Sequence, residues 1–430
     1  MKETINYSEK LRNKSIPAIL FAAIAFFLIV WYAIPWQIGD MFAEHSPPSD
    51  VGAGQIASFA LRLAPDDPQT NSFAGFAALA DFDNFDPRIA VNFFENAARL
   101  APFDYRYWSN LGRAYEKAER FDDAERAFKR AISLAPEYSN PRWHYGNFLL
   151  RRGRDDEAIE QLRKAAQYDS IYREQAFAIA WNYFGEDTDK VDQFAANNPD
   201  AYATLARFYA SRGHGQDALR IWNRIAETDK PRFNWIGSAI AQLLYEKGQY
   251  RTALEFVRQT SENRSLRPDS ITNGGFESRI TDERFPKFEW FIARSNSSVE
   301  TYIDSRVAHT GSRSARLTFK NFSLPTLDQL WQVVAISSAG KYRLTFWAKN
   351  ENLRGGSLPL VEVATADGKQ TIAASKAFQT GSGGWEKFVV EFNAGEDTQG
   401  VIIRIGREPC AADCALVGTI WFDDFELEKL

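Results

Sequence analysis

The sequence predicts a multidomain chain of three successive pieces: an N-terminal transmembrane helix, an all-α solenoid and an all-β sandwich. Three observations carry this. Residues 16 to 38, IPAILFAAIAFFLIVWYAIPWQI, form an uncharged apolar run, long enough for the about 20 residues that a bilayer crossing needs. Between about residues 50 and 260, small and aromatic residues recur with a period of roughly 34, the mark of a helical repeat array. From residue 271 onward the helical period gives way to short β-rich runs between glycine-bearing turns. A length of 430 residues also exceeds what one core usually serves. The formal net charge of −5 comes with no basic stripe, so nucleic acid is excluded as a partner.

The first element is bounded by charge. Lys2, Lys10, Arg12 and Lys14 precede the apolar run, while Asp40 and Glu44 follow it with no cation before Arg62. The positive-inside rule then makes residues 1–15 a cytoplasmic tail and puts everything after residue 40 on the other side. Pro17 is expected in the first helical turn, where its missing donor costs little. Trp31, Tyr32 and Trp36 gather at the far end like an interfacial aromatic belt. A cleaved signal peptide is the competing reading, but its apolar core is normally about 7 to 15 residues and ends in a small-x-small site. Segment length favours an uncleaved single-pass anchor. Residues 39–50, with Pro47 and Pro48, read as a juxtamembrane linker.

The solenoid, residues 51–260, is clearest at residues 105 to 138. Trp108, Leu111 and Tyr115 fall at i, i+3 and i+7 on one helix, and Ala124, Phe128 and Ala131 at i, i+4 and i+7 on the next, giving two apolar stripes that face each other. Gly112 leaves room for close approach, and Pro136 ends the unit. These residues fill every position of the Trp-x2-Leu-Gly-x2-Tyr, Ala-x3-Phe, Pro signature, and the stretch closely resembles a tetratricopeptide repeat. One hairpin cannot bury its own faces, so copies are expected on both sides. Ala90, Phe94, Ala97 and Pro102 supply half of one; Gly146, Gly153, Ala158, Leu162 and Ala165 supply another. Residues 173 to 198 read as a shortened helix pair. Ala206, Tyr209, Gly213, Ala218 and Trp222, then Leu244, Gly248, Tyr250 and Ala253, restore the pattern.

In that family the concave groove is lined by the first helix of each repeat. Carried over, the resemblance implies a lining of Arg106, Asn110, Arg113 and Lys117 from one unit and Asn140, Trp143, His144, Asn147 and Arg151 from the next. Amides and cations dominate. Such a lining suits an acidic or C-terminal peptide segment of a protein partner, and a merely solvated helix face is the alternative.

Residues 261–270 read as a second linker, and residues 271–430 as a β-sandwich of about nine strands: FEWFIA, VETYID, SARLTF, LWQVVAI, KYRLTFWA, LPLVEVA, WEKFVVEF, VIIRIG and TIWFDDFEL. Asn273-Gly274-Gly275-Phe276-Glu277, the turn His309 to Ser314, the strand Gly340 to Trp347, Trp385 and Trp421 to Phe425 occur in order. They are similar to the jelly-roll carbohydrate-binding modules of families 4, 9 and 22. That resemblance implies a structural calcium site with Glu277 and Asp424 as ligands, completed by backbone carbonyls; two acids flanking a strand end is the alternative. Along residues 341 to 349 the period of two turns Tyr342, Leu344, Phe346 and Ala348 inward and Arg343, Thr345, Trp347 and Lys349 outward. Trp347 is therefore the first candidate platform for a sugar, with Trp331 and Gln332 as weaker ones, whereas Trp290, Trp385 and Trp421 sit in apolar company.

No catalytic motif is present, and Asp423 and Asp424 as strand neighbours should point to opposite faces, so no enzyme is expected. Cys410 and Cys414 are close enough in sequence for a small disulfide loop, in keeping with an oxidising compartment. Together these readings describe a scaffold of the bacterial inner membrane, N-terminus cytoplasmic and bulk periplasmic. Its solenoid would hold a protein partner and its jelly roll a polysaccharide or protein, in cell-surface polysaccharide assembly or export. The alternative is a structural subunit of a membrane complex with no glycan ligand.

Overall fold

A computed structural model describes residues 2–81, 85–260, 266–280, 288–410 and 414–430, with the backbone alone described for residues 2–19 and Tyr168. The chain divides into two compact units, Met1–Ala196 and Asn197–Leu430. The division falls inside the helical array, not at the expected linker 261–270, whose first half lies outside the described residues.

The first unit opens with α1 (Lys2–His45), one uninterrupted helix of 44 residues. Within it, Leu20–His45 is long and apolar enough to cross a membrane, and Phe21, Phe27 and Trp31 are exposed. Two expectations change. Pro17 stands in the helix interior, because the helix begins at Lys2; the side chains of Lys2, Lys10, Arg12 and Lys14 lie outside those described. Residues 39–45 are not a linker but the last two turns of α1. They stay helical because they are packed: a Cβ on Gly39 would lie 2.8 Å from the Ala64 Cβ and 2.9 Å from the Ala60 carbonyl oxygen. Ala43 is buried with Ala53 and Ala57 of α2 (Ala53–Leu63) and Phe73, Ala74 and Ala77 of α3 (Pro68–Ala80). The apolar helix thus ends as the first packing element of the solenoid.

Helical hairpins follow: α4 (Pro87–Leu100), α5 (Tyr105–Lys117), α6 (Phe121–Leu134), α7 (Ser139–Arg151), α8 (Asp155–Tyr168), and the short pair α9 (Arg173–Tyr183) and α10 (Thr188–Phe194). Aspartates start many of them: the Asp67 carboxylate accepts from Thr70 N at 2.6 Å and Asp104 from Arg106 N at 2.9 Å, satisfying amides that the first turn leaves unpaired. The signature glycine acts as expected. A Cβ on Gly112 would meet the Phe128 ring at 2.8 Å, so α5 and α6 approach only because that atom is missing.

The second unit holds α11 (Pro199–Ser211), α12 (Gly215–Trp222), α13 (Asn234–Glu246) and α14 (Tyr250–Thr260), followed, among the described residues, by ten strands in two antiparallel sheets. One sheet runs β1 (Phe291–Ile292), β4 (Leu330–Ala335), β9 (Gly400–Arg407), β6 (Pro359–Thr365), β7 (Thr371–Ala374). The other runs β2 (Val299–Asp304), β3 (Ser314–Phe322), β10 (Leu416–Lys429), β5 (Gly340–Gly355), β8 (Gly381–Ala394). Tyr342, Leu344, Phe346 and Ala348 point into the core as the alternation requires. There Phe346 stacks on Phe388 and Phe425, with ring centroids 5.1 and 5.0 Å away. β7 escapes sequence reading because TIAA is a short, largely exposed edge with no alternation.

The last helices belong to the sandwich. The Arg251 guanidinium of α14 donates to the Ile336 carbonyl and, at 2.6 Å, to that of Thr398. Tyr250 packs where Gly400 has no side chain, and Tyr245 meets Phe288 edge-on at 5.4 Å.

Candidate functional site

The inner face of α5 and α7 forms a cavity of about 500 Å³ lined by Arg113, Glu116, Lys117, Trp143, His144, Asn147 and Arg151, with Leu79 from α3. Six of the nine residues expected in the groove meet here. Arg106 and Asn110 line a separate cavity of about 260 Å³ beside the end of α1, with Glu44, Ser46 and Pro48. Arg106 is there clamped on Asp104 through Nε and Nη2. Asn140 lines neither cavity; its amide donates to the Tyr172 hydroxyl at 3.1 Å.

Three cations face one carboxylate in the larger cavity. Arg151 spends its fork on Glu116, with distances of 2.6 and 2.9 Å. Among the described residues, neither Arg113 nor Lys117 has an ion-pair partner; Arg113 lies over the Phe76 ring, 5.8 Å from its centroid. Desolvation against the groove wall lowers the Arg113 pKa, a cost that a bound anion would relieve. His144 is held neutral: burial first, then the Arg113 and Arg151 charges, bring its pKa down to about 4. Trp143 stacks on Tyr172 at 5.0 Å, giving the floor an apolar patch beside the charges. Sequence reasoning missed Glu116 and Leu79, which lie off the carried-over positions.

The sandwich carries a second cluster on the outer face of its β2-β3-β10-β5-β8 sheet. β10 has a bulge between Asp423 and Glu426, and Asp424 adopts a positive φ of 50°. This defeats the strand alternation that was to separate the two aspartates. Both carboxylates turn to one loop: Asp423 Oδ2 accepts from His309 N at 2.7 Å, and Asp424 accepts from His309 Nδ1 and Thr310 Oγ1, each at 2.6 Å. Glu277 accepts from Ser312 N at 2.8 Å, from its hydroxyl at 2.8 Å and from Arg313 N at 3.0 Å, donations that pull its pKa down. Burial, with the Asp424 charge adding to it, pushes Asp423 up to about 6.

Calcium fits this cluster only in part. A Cβ on Gly275 would sit 3.5 Å from Asp424 Oδ1, 3.7 Å from Asp423 Oδ1 and 3.9 Å from Glu277 Cγ, so three acids border one small space. Yet among the described residues no three His, Cys, Asp or Glu side chains converge as ligands. The oxygens of Glu277 and Asp424 are already held by the 309–313 turn.

The aromatic platform is wider than expected. Trp347 is half-buried, with one face covered by the His309 ring at 3.9 Å and 17°. Trp385, expected in the core, is also half-buried and meets His309 at 5.6 Å. Trp421 is buried outside the core: its indole lies under Arg316 and Lys349, 5.3 and 5.6 Å from its centroid, and donates to Asp304 at 3.0 Å. Trp331 and Gln332 do not join this site. They lie on β4 in the other sheet; Trp331 stacks on Phe291 at 5.0 Å. Gln332 is fully buried, bonded to both Thr272 N and Thr272 O at 2.9 Å. Cys410 and Cys414 are joined by a disulfide with Cα atoms 5.7 Å apart.

Residues 77–139 and 110–171 match the tetratricopeptide repeat family. Residues 77–171 are tetratricopeptide repeats. A 59-residue stretch is 42% identical to Protein POLLENLESS 3-LIKE 2 of Arabidopsis thaliana, covering 14% of this chain and 14% of that protein. The helical part is similar in fold to MamA 41-end from Desulfovibrio magneticus RS-1, at 17% identity and a TM-score of 0.30, over 38% of this chain and 92% of that one. The sandwich is similar to a CBM4 structure, at 20% identity and a TM-score of 0.27, over 37% of this chain and 99% of that one. The chain carries tetratricopeptide repeats, a two-sheet antiparallel β-sandwich and an N-terminal apolar helix consistent with a signal peptide or a single membrane anchor.

Proposed function

We propose that this protein is a membrane-anchored, non-enzymatic scaffold, bulk periplasmic, whose tetratricopeptide groove holds an acidic segment of a protein partner. The observation that carries the reading is the excess of cations in the 500 Å³ cavity, with Arg113 and Lys117 uncommitted to any carboxylate among the described residues. A peptide carboxylate entering there would replace lost hydration with charge-assisted hydrogen bonds. The continuity of α1 supports an anchor over a cleaved signal, because its last turns are part of the solenoid core. The test is titration of the full chain in detergent with an acidic peptide and with its amide-substituted counterpart. Binding of the acidic form alone, weakened about tenfold or more by Arg113→Ala and weakened by salt, supports the reading; equal binding of both peptides ends it.

For the sandwich we propose polysaccharide binding on the Trp347, Trp385 and His309 surface, with calcium ordering the Glu277 and Asp424 turn. A natural setting is assembly or export of cell-surface polysaccharide. Stacking of a sugar ring on an indole needs an open face, and Trp347 and Trp385 are both partly exposed. A glycan screen of the full chain, with calcium and with chelator, should show binding that Trp385→Ala abolishes and chelator weakens. A folded protein that binds no glycan would leave the second reading, a structural subunit of a membrane complex, which the packing of α14 on the sandwich favours.

A further inference from the structure

Connections in the first unit are short, so successive helices run antiparallel and every second loop falls at the same end. α1 and α2 fix which end faces the membrane: Gly39 lies against Ala60 and Ala64, and Ala43 with Ala53 and Ala57. The loop 64–67 therefore sits level with Gly39, one residue beyond the apolar run that ends at Ile38. The loops 101–104, 135–138 and 169–172 share that end.

Each of these three loops presents a large apolar side chain to solvent: Phe103 is 80% exposed, Tyr138 58% and Ile171 70%. At the opposite end, Val51 and Phe85 are exposed in the first two loops. The next three loops there, 118–120, 152–154 and 184–187, carry Glu119, Arg120, Arg152, Arg154, Glu186 and Asp187. Of the acids on the membrane-side edge, Asp67, Asp104 and Asp169 are engaged as caps, accepting from Thr70 N, Arg106 N and Ile171 N, while Asp66 and Glu137 are exposed beside the tips. Arg62 and Arg99 stand in the last turns of α2 and α4 at the same end. Apolar and aromatic tips, repeated at one edge beside a spanning helix, have the composition of a surface that rests in a headgroup layer.

We infer that this edge of the solenoid lies on the bilayer that holds α1, with Phe103, Tyr138 and Ile171 dipping into the interface. The inference rests on the anchor reading of α1. It gives the protein a second membrane contact and holds the groove at a fixed height above the lipid.

The full chain is reconstituted in phosphatidylcholine–phosphatidylglycerol vesicles, with an environment-sensitive nitrobenzoxadiazole label on one introduced cysteine at a time. Phe103→Cys, Tyr138→Cys and Ile171→Cys probe the edge; Asp122→Cys and Asp155→Cys are controls at the opposite end. The two native cysteines are bonded to each other and do not react. Brominated lipid should quench the three edge probes at least threefold more than the controls, most strongly at position 103, and Ile171→Glu should reduce quenching at 138. If carbonate extracts the protein from the vesicles, the anchor reading fails and this inference with it. If the protein stays integral but the edge probes are quenched no more than the controls, the inference alone is overturned.

Discussion

His144 stands in the groove wall with its pKa near 4 because burial and two neighbouring guanidinium groups oppose its charging. An unfolded chain would bind that proton with a pKa near 6.5. Between these values the unfolded state holds more protons, so stability rises with pH through the interval and is lost as pH falls from about 6.5 toward 4. The loss attached to this one partly exposed ring is of the order of 1–3 kcal/mol. Chemical denaturation of the wild type and His144→Gln at pH 4.5 and 7.5 should show a smaller pH difference in the variant; an unchanged difference would place the effect elsewhere. Residue roles were legible where periodicity holds, as for the inward face of Tyr342 to Ala348. They were lost where it breaks. No spacing announces the left-handed Asp424 that turns two carboxylates to one loop. Nor does any reveal that Gln332, polar on a strand, serves to clamp the Thr272 backbone.

At the scale of elements, the helices were readable because the glycine, alanine and aromatic positions of a repeat each have a steric reason, as Gly112 under Phe128 shows. The end of α1 was not. Residues 39–45 contain Asp40 and Glu44 and look like a linker until Ala53, Ala57 and Phe73 are placed beside them. Chains beginning at residue 36 and at residue 46 separate the two descriptions. The shorter one exposes the α2–α3 face, and losing that packing should cost about 2–4 kcal/mol, or roughly 4–16 °C in the melting temperature of a unit this size. Identical melting by differential scanning calorimetry would mean the last turns of α1 contribute nothing.

For the whole molecule, the sequence placed the boundary where the periodicity changes, but packing places it at Ala196. Pattern reading sees which period a segment follows, not which neighbour it adheres to. Arg251 contacts two carbonyls 85 and 147 positions further on, and no helical pattern encodes that. Residues 197–430 should therefore fold alone and melt with the second transition of the full chain, whereas 268–430 should melt lower. Arg251→Met, which leaves two carbonyls without their donor, should destabilise that unit by about 2–5 kcal/mol. Equal melting of 268–430 and 197–430 would restore the boundary to the linker.

The merging of apolar segment and solenoid in α1 also sets an order of events during synthesis. The helix is made first, and the face carrying Gly39 and Ala43 meets its full set of α2 partners only once Ala64 has been added. At about 5–20 residues per second that is a wait of about 1–5 s. The end of that helix is then the template on which the first hairpin closes, so the repeats assemble outward from α1 and the sandwich is completed last.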